Sequence, residues 1–170
     1  MIFLCGFPSS GKTSLGKKVA KRLAWPFIDL DVRVEKACGC SCREYVLKNG
    51  IEKFRELEMA ALQELQASAQ CIIALGGGAV MRDANIETIK KLGLLLYLKV
   101  EKEILWGRLR SKKALPSYLD SSNTKQSFEN LYALRQPIYE KNADAILSLN
   151  CMSEKSIVEK IIEVIHTYGK

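Results

Sequence analysis

Directly after the apolar run Ile2, Phe3, Leu4 and Cys5, the chain reads Gly6-Phe7-Pro8-Ser9-Ser10-Gly11-Lys12-Thr13, a complete G-x-x-x-x-G-K-[ST] spacing that opens a helix-like stretch. Gly6 and Gly11 allow backbone conformations that a side chain forbids, so successive N–H groups can turn toward one phosphate. Lys12 adds a mobile cation for the β- and γ-phosphates, and the Thr13 hydroxyl is placed to ligate the magnesium ion that bridges them. The helix expected over Lys12 to Leu23 presents the positive end of its dipole to the same anion. A glycine-containing turn before a helix is the bland reading. The strand, loop and helix context favours a nucleotide phosphate instead, with Ser9, Ser10, Gly11, Lys12, Thr13 and Ser14 as candidate contacts.

A phosphate loop fixes what is bound and leaves open what is done with it. Phe27-Ile28-Asp29-Leu30-Asp31 offers two carboxylates one residue apart, which point the same way if the strand stays extended. One could hold magnesium through water while the other accepts a hydroxyl proton; two acids at a strand end also serve as helix caps or solvated turns. Arg55 stands three residues before Glu58 on a predicted helix. That pair is either an exposed i, i+3 ion pair worth roughly a few tenths of a kcal/mol, or part of a guanidinium fork for a substrate carboxylate, worth about 1.5 to 3 kcal/mol when desolvated. Leu75-Gly76-Gly77-Gly78-Ala79 ends a further apolar run with three glycines that let a ligand approach the backbone closely. No acid ends that strand, so magnesium would lean on Thr13 and, through water, on Asp29. In Leu134-Arg135-Gln136-Pro137-Ile138-Tyr139 an arginine precedes a proline late in a helical pattern. A kink there could aim Arg135 inward, whereas an exposed arginine is the commoner outcome.

These residues need a frame, and the sequence supplies one. Short apolar runs at Ile2 to Cys5, Pro26 to Asp29, Cys71 to Leu75, Leu94 to Leu98 and Ala145 to Leu149 alternate with helical patterns, as parallel strands joined by crossover helices do. Phe54, Leu57, Ala61, Leu62 and Leu65 recur close to helical spacing within Ile51 to Gln66, and Ser153 is placed to cap a last helix ending near Tyr168. The reading is an α/β fold with five parallel strands in a doubly wound sheet. The candidate residues then fall at or just beyond carboxyl ends of strands, where open α/β sheets bind ligands. The segment 111–124 (SKKALPSYLDSSNT) breaks the alternation. It reads either as a loop that closes over a substrate or as an ordinary connection.

At 170 residues and 48% hydrophobic, with no Pro/Gly/Ser-rich linker, the chain is expected to form one domain over 1–170. No apolar stretch near about 18 residues and no leader-like start are visible, which points to the cytoplasm. The net charge of +7 attracts polyanions in general. Lys17, Lys18, Lys21 and Arg22 read as the solvated face of one helix, and no basic run interleaves with aromatics, so nucleic acid is disfavoured. Of the six cysteines, two lie in apparent core strands, which fits reduced thiols. Cys38, Cys40 and Cys42 alternate instead of following C-x-x-C spacing, and the one histidine, His166, is remote; they read as small packing residues open to oxidation, not as a zinc site.

Taken in order, the phosphate loop, Asp29-Leu30-Asp31, Phe54-Arg55-x-x-Glu58, Gly76-Gly77-Gly78 and Arg135-x-Pro137-x-Tyr139 resemble the shikimate kinase family from the first strand to about Ile146. The resemblance implies a three-layer phosphate-loop fold like that of nucleoside-monophosphate kinases, with a substrate-binding helical segment over 31–66 and a lid loop over 111–124. It implies magnesium-dependent transfer of the ATP γ-phosphoryl group to the 3-hydroxyl of shikimate, on the route to chorismate and aromatic amino acids. Asp31 resembles the residue that holds the accepting hydroxyl and serves as its base, with Lys12 beside the transferring group. Arg55 and Arg135 resemble the grip on the shikimate carboxylate, Gly77 and Gly78 the platform for its ring, and Thr13 and Asp29 the magnesium site. The lid departs from the family pattern: an arginine usually precedes its proline, whereas this chain reads Lys112-Lys113-Ala114-Leu115-Pro116. Lys113 or Arg110 could substitute, Arg110 as a phosphate contact. Two other readings stand beside this one: a kinase of another small acceptor such as gluconate or a nucleoside monophosphate, and a nucleotide-binding regulator without catalysis. No exposed apolar stripe is obvious, so a monomer is expected.

Overall fold

The computed structural model describes residues 1–65, 70–111, 119, 122–150 and 152–168. In chain order the elements are β1 (Ile2–Cys5), α1 (Lys12–Leu23), β2 (Phe27–Asp29), α2 (Leu30–Cys38), α3 (Cys42–Asn49), α4 (Ile51–Gln63), β3 (Ile72–Ala74), a 3-10 turn (Ala79–Met81), α5 (Asp83–Leu92), β4 (Leu94–Lys99), α6 (Lys102–Arg110), α7 (Thr124–Asn142), β5 (Ala145–Ser148) and α8 (Glu154–Tyr168). The strands form one sheet in the order β2-β3-β1-β4-β5 with every pairing parallel. This is the five-stranded doubly wound α/β sheet that the alternation predicts.

β1 and β4 are buried on both faces, with Phe3, Leu4, Leu95, Leu96 and Leu98 wholly inaccessible, and their sequences are accordingly unbroken apolar runs. Truncating one of these leucines to alanine removes its transfer energy and leaves a cavity, a cost of about 2 to 5 kcal/mol. α1 turns Leu15, Val19 and Ala20 to the core and leaves Lys17, Lys18, Lys21 and Arg22 exposed, as its periodicity implies. Ser153 accepts a hydrogen bond from the Ser156 N–H at 3.2 Å, so the expected cap of α8 is present.

Two expectations change in detail. The second acidic residue does not continue the strand: β2 stops at Asp29, whose carboxylate accepts from the N–H groups of Asp31 at 3.2 Å and Val32 at 3.5 Å, and α2 starts at Leu30. A cap that satisfies two orphan donors outweighs one more residue of strand. Asp31 therefore sits in the first turn of a helix. Likewise α4 ends at Gln63: the Glu64 N–H still bonds to the Ala60 carbonyl oxygen, but the Leu65 N–H bonds to the Leu62 carbonyl oxygen at 3.1 Å in a tighter closing turn, and residue 66 lies outside the described residues. Most of the expected lid, including Lys112, Lys113 and Pro116, lies outside the described residues. Its flanks are the exposed Ser111 and the cap residue Asn123, which accepts from the Gln126 N–H at 3.4 Å.

Candidate active site

The phosphate loop leaves β1 at the middle of the sheet, between β3 and β4, and enters α1. Gly6 at φ 145° and Gly11 at φ 97° occupy left-handed backbone regions, and Ser9 joins them at φ 70°. A Cβ on Gly6 would lie 2.8 Å from the Leu98 carbonyl oxygen, so the first glycine is required for space as well as for conformation. Lys12 folds back over the loop and donates from Nζ to the carbonyl oxygens of Gly6 at 2.9 Å and Phe7 at 3.1 Å. Burial lowers its pKa from the ordinary 10.5 to about 8, against the opposing pull of Asp31. Among the described residues, the buried hydroxyl oxygens of Ser9 and Ser10 have no hydrogen-bond partner, the unsatisfied state that an oxyanion on the loop would relieve.

Thr13 and Asp29 meet beside this loop, the Thr13 hydroxyl donating to Asp29 Oδ2 at 2.7 Å. A hydroxyl and a carboxylate side by side are hard oxygen donors of the kind that magnesium takes. Asp29 is thus both helix cap and candidate metal residue, so the cap and functional readings of this acid hold together. Among the described residues, no group of three or more His, Cys, Asp or Glu is arranged to hold a metal ion.

The acceptor side is built from α2, α4, the glycine segment and α7 around a cavity of about 470 Å³ that also reaches Lys12 and Thr13. Asp31 faces it, and burial followed by the Asp29 charge raises its carboxyl above the ordinary range, with Lys12 and Arg55 opposing. Arg55 Nη1 donates to Glu58 Oε2 at 2.7 Å, with only 13% and 1% of the two side chains exposed. The i, i+3 pair is therefore present and buried, so the ion-pair and substrate-fork readings are compatible. Burial pushes the Glu58 carboxyl up and Arg55 pulls it down, while Glu58 Oε1 has no hydrogen-bond partner among the described residues. Gly76 lets these groups converge: a Cβ there would stand 2.6 Å from Asp31 Oδ1 and 2.7 Å from Glu58 Oε1. A Cβ on Gly78 would collide with the Arg55 guanidinium.

α7 delivers Arg135 to the same cavity, with its guanidinium 6.0 Å from the centroid of the Phe7 ring. Four residues on, the buried Tyr139 hydroxyl donates to the Gly77 carbonyl oxygen. Lys12, Thr13, Asp29, Asp31, Arg55, Gly77, Gly78 and Arg135 therefore come together in one place, although their sequence positions span more than a hundred residues. Ser9 reaches this cavity too, while Ser10, Gly11 and Ser14 line an adjoining cleft of about 350 Å³. Arg110 is exposed at the end of α6.

Sequence reasoning passed over Arg43 and Arg108. Arg43 lies in the first turn of α3 and lines the acceptor cavity. The signal for it was available, since Ser41 and Glu44 form a capping box that fixes where the helix begins. Arg108 donates to the Ser9 carbonyl oxygen at 3.1 Å and borders the cleft beside the loop, facing Met152 and Glu154. Nothing in the local pattern of α6 separates Arg108 from Arg110 in advance.

Residues 8–166 match the family model described as shikimate kinase. The chain is 35% identical over 162 residues to a shikimate kinase from Thermodesulfovibrio yellowstonii, covering 95% of this chain and 92% of the relative. It is 37% identical over 172 residues to one from Syntrophus aciditrophicus, covering 95% and 88%. The solved shikimate kinase from Acinetobacter baumannii, in complex with shikimate, superposes with a TM-score of 0.89 at 29% identity, covering 98% of this chain and 92% of that one. With both the motif-bearing span and the architecture matched, the chain belongs to the shikimate kinase family.

Proposed function

We infer that this chain is a shikimate kinase, transferring the γ-phosphoryl group of ATP to the 3-hydroxyl of shikimate. One observation carries the reading: Asp31, Arg55 and Arg135 face a glycine floor inside the same cavity that holds Lys12 and Thr13. A carboxylated ring needs guanidinium partners, a base at one hydroxyl and a floor without side chains, and this cavity has all three.

In the proposed complex the triphosphate lies along the loop, with its terminal oxygens on the backbone N–H groups and on Lys12, which moves from the Gly6 and Phe7 carbonyls to the phosphates. The Ser9, Ser10 and Ser14 hydroxyls supply further hydrogen bonds, and the cleft between Arg108 and Met152 takes the nucleoside end. Arg110, where α6 ends before residues 112–118, is proposed as an additional phosphate contact. Thr13 directly, and Asp29 through water, would hold the magnesium ion. When bound, that ion would neutralise negative charge developing on the transferring phosphoryl group.

Arg55 and Arg135 grip the shikimate carboxylate and so set the distance from ring to phosphate. Asp31 accepts a hydrogen bond from the 3-hydroxyl and takes its proton as the oxygen–phosphorus bond forms. Its raised carboxyl suits a base that works near neutral pH. Since phosphoryl transfer is mostly positioning and charge neutralisation, these are the roles the residues would fill. Asp31→Asn should lower kcat about 10²-fold or more while Kd for ATP stays within about twofold.

The direct test is ADP release by purified protein with magnesium and ATP, offered shikimate, gluconate, nucleoside monophosphates or no acceptor. Turnover confined to shikimate is expected. Turnover on gluconate or a nucleoside monophosphate alone would overturn the acceptor assignment, and nucleotide binding without turnover on any acceptor would favour a regulator.

A further inference from the structure

Cys38, Cys40 and Cys42 lie where α2 meets α3; Cys42 lines the cavity, and neither the phosphate loop nor the acceptor grip uses Cys38 or Cys40. Cys38 ends α2, Gly39 follows in the left-handed region at φ 72°, and the Cys40 Sγ then lies 3.8 Å from the Cys38 Sγ. The Cys38 thiol donates to the Cys40 carbonyl oxygen at 3.3 Å, which holds the two residues face to face. Both are half-buried and so within reach of a small oxidant, whereas Cys5 and Cys71 are buried. A Cβ on Gly39 would meet nothing within 4 Å, so the corner has room to adjust.

The residues that follow belong to the acceptor wall. Ser41 caps α3, and the Cys42 N–H donates to Glu35 Oε1 at 3.0 Å. The Cys42 thiol donates to the Asp31 carbonyl oxygen at 3.6 Å, and Cys42 and Arg43 line the cavity. Cys42, two residues beyond Cys40, thus bonds to the backbone of Asp31.

We propose that Cys38 and Cys40 are a dithiol modification site, closed reversibly to a disulfide by a low-molecular-weight disulfide such as oxidised glutathione, and that closure loosens the acceptor side of the cavity. One cysteine thiolate attacks a glutathione sulfur, expels one glutathione thiolate and leaves a mixed disulfide; the second cysteine thiolate displaces the other glutathione. The protein pair gives up two protons and two electrons, and two molecules of reduced glutathione form. Bonding draws the sulfurs from 3.8 Å to about 2.0 Å and removes the hydrogen bond that Cys38 donates to Cys40. A bridge across one intervening residue is strained and easily reduced, which suits a reversible site and not a structural crosslink. The phosphate loop, carried by β1 and α1, is left alone, so the signature is a weakened acceptor with nucleotide binding unchanged.

The proposal rests on the kinase reading for its activity readout only; the bond itself is read by mass. Reduced full-length protein is treated with oxidised glutathione at mildly alkaline pH, because burial and the contact with Cys38 push the Cys40 thiol up, and its cysteines are mapped by peptide mass spectrometry. The peptide carrying Cys38 and Cys40 should lose two hydrogens and regain them with dithiothreitol, and the apparent KM for shikimate should rise about three- to tenfold with the KM for ATP unchanged. C40S and, separately, C38S should abolish both the mass change and the KM response. Free thiols, stable glutathione adducts, a bridge to Cys42 or another cysteine, or a Cys38–Cys40 bond without change in the shikimate KM would each overturn the proposal. Reduced protein without turnover on shikimate would overturn the kinase reading, leaving the mass result to judge the dithiol.

Discussion

Lys12 and Glu58 are ionisable groups that burial has moved, and each has a measurable consequence. Lys12 titrates near 8 because burial disfavours its charged form. In the proposed complex phosphate binds that charged form; the free protein carries the cation below this pH and loses it above, so nucleotide binding should take up a proton as pH rises through 8. Apparent affinity for ATP should therefore fall by up to about tenfold per pH unit above the shifted value. Titration calorimetry in two buffers of different ionisation enthalpy reads the proton directly. Lys12→Arg, charged throughout, should remove the proton uptake, and uptake that persists in that variant would assign it elsewhere. Glu58 is the counterpart on the proposed acceptor side, where it holds Arg55 through Nη1 at 2.7 Å. Glu58→Gln keeps the shape and removes the charge that orients the guanidinium. The shikimate KM should rise about tenfold with the ATP KM unaltered and kcat within about twofold. Steady-state kinetics with each substrate varied separately decides it, and an equal rise in both KM values would point to general loosening instead.

Two elements, the glycine segment and α7, must keep their spacing for the proposed carboxylate grip to work. Tyr139 is what joins them, since its hydroxyl bonds the Gly77 carbonyl oxygen while Arg135 stands one turn earlier on the same helix. Tyr139→Phe leaves that half-buried carbonyl without this donor, at about 1 kcal/mol, and frees α7 to drift from the floor. Thermal denaturation should show the loss of stability, and the shikimate KM should rise several-fold with ATP binding intact; unchanged acceptor kinetics would make Tyr139 a core residue alone. At this scale the sequence was legible where the signal is local. The phosphate loop is read from eight consecutive residues, and the strands from apolar runs such as Leu94 to Leu98. Asp31 was harder to place, because D-x-D fits an extended strand and a capped helix equally well. The choice falls to Asp29 satisfying two backbone donors, a matter of geometry beyond residue type. Whether Arg55–Glu58 is exposed or buried was likewise open, because burial is decided by Gly76 and Gly78 arriving from another part of the chain.

Across the whole molecule, the parallel sheet brings residues far apart in sequence to one rim, and three guanidinium groups, Arg43, Arg55 and Arg135, gather with Lys12 around one cavity. Two of those arginines were marked by resemblance. Arg43 escaped because its spacing matches no shared motif and only the fold turns it to the cavity, just as Arg108 is singled out from Arg110 by its reach to Ser9. Only Arg43 of this cluster is exposed, and the mutual repulsion of the four cations is relieved when an anion neutralises them; on a chain of net charge +7 the long-range field favours the same ligand. Salt tests the balance between field and contact. The buried Arg55–Glu58 pair is screened little, whereas the exposed Arg43 is screened strongly once the Debye length drops below about 10 Å. The shikimate KM should therefore rise about three- to fivefold between roughly 0.02 M and 0.5 M salt, and Arg43→Gln should flatten much of that slope while leaving the high-salt KM near the unmodified value. If the slope survives in Arg43→Gln, the salt dependence belongs to the buried grip and the general field, and Arg43 is only a solvated residue at the cavity mouth.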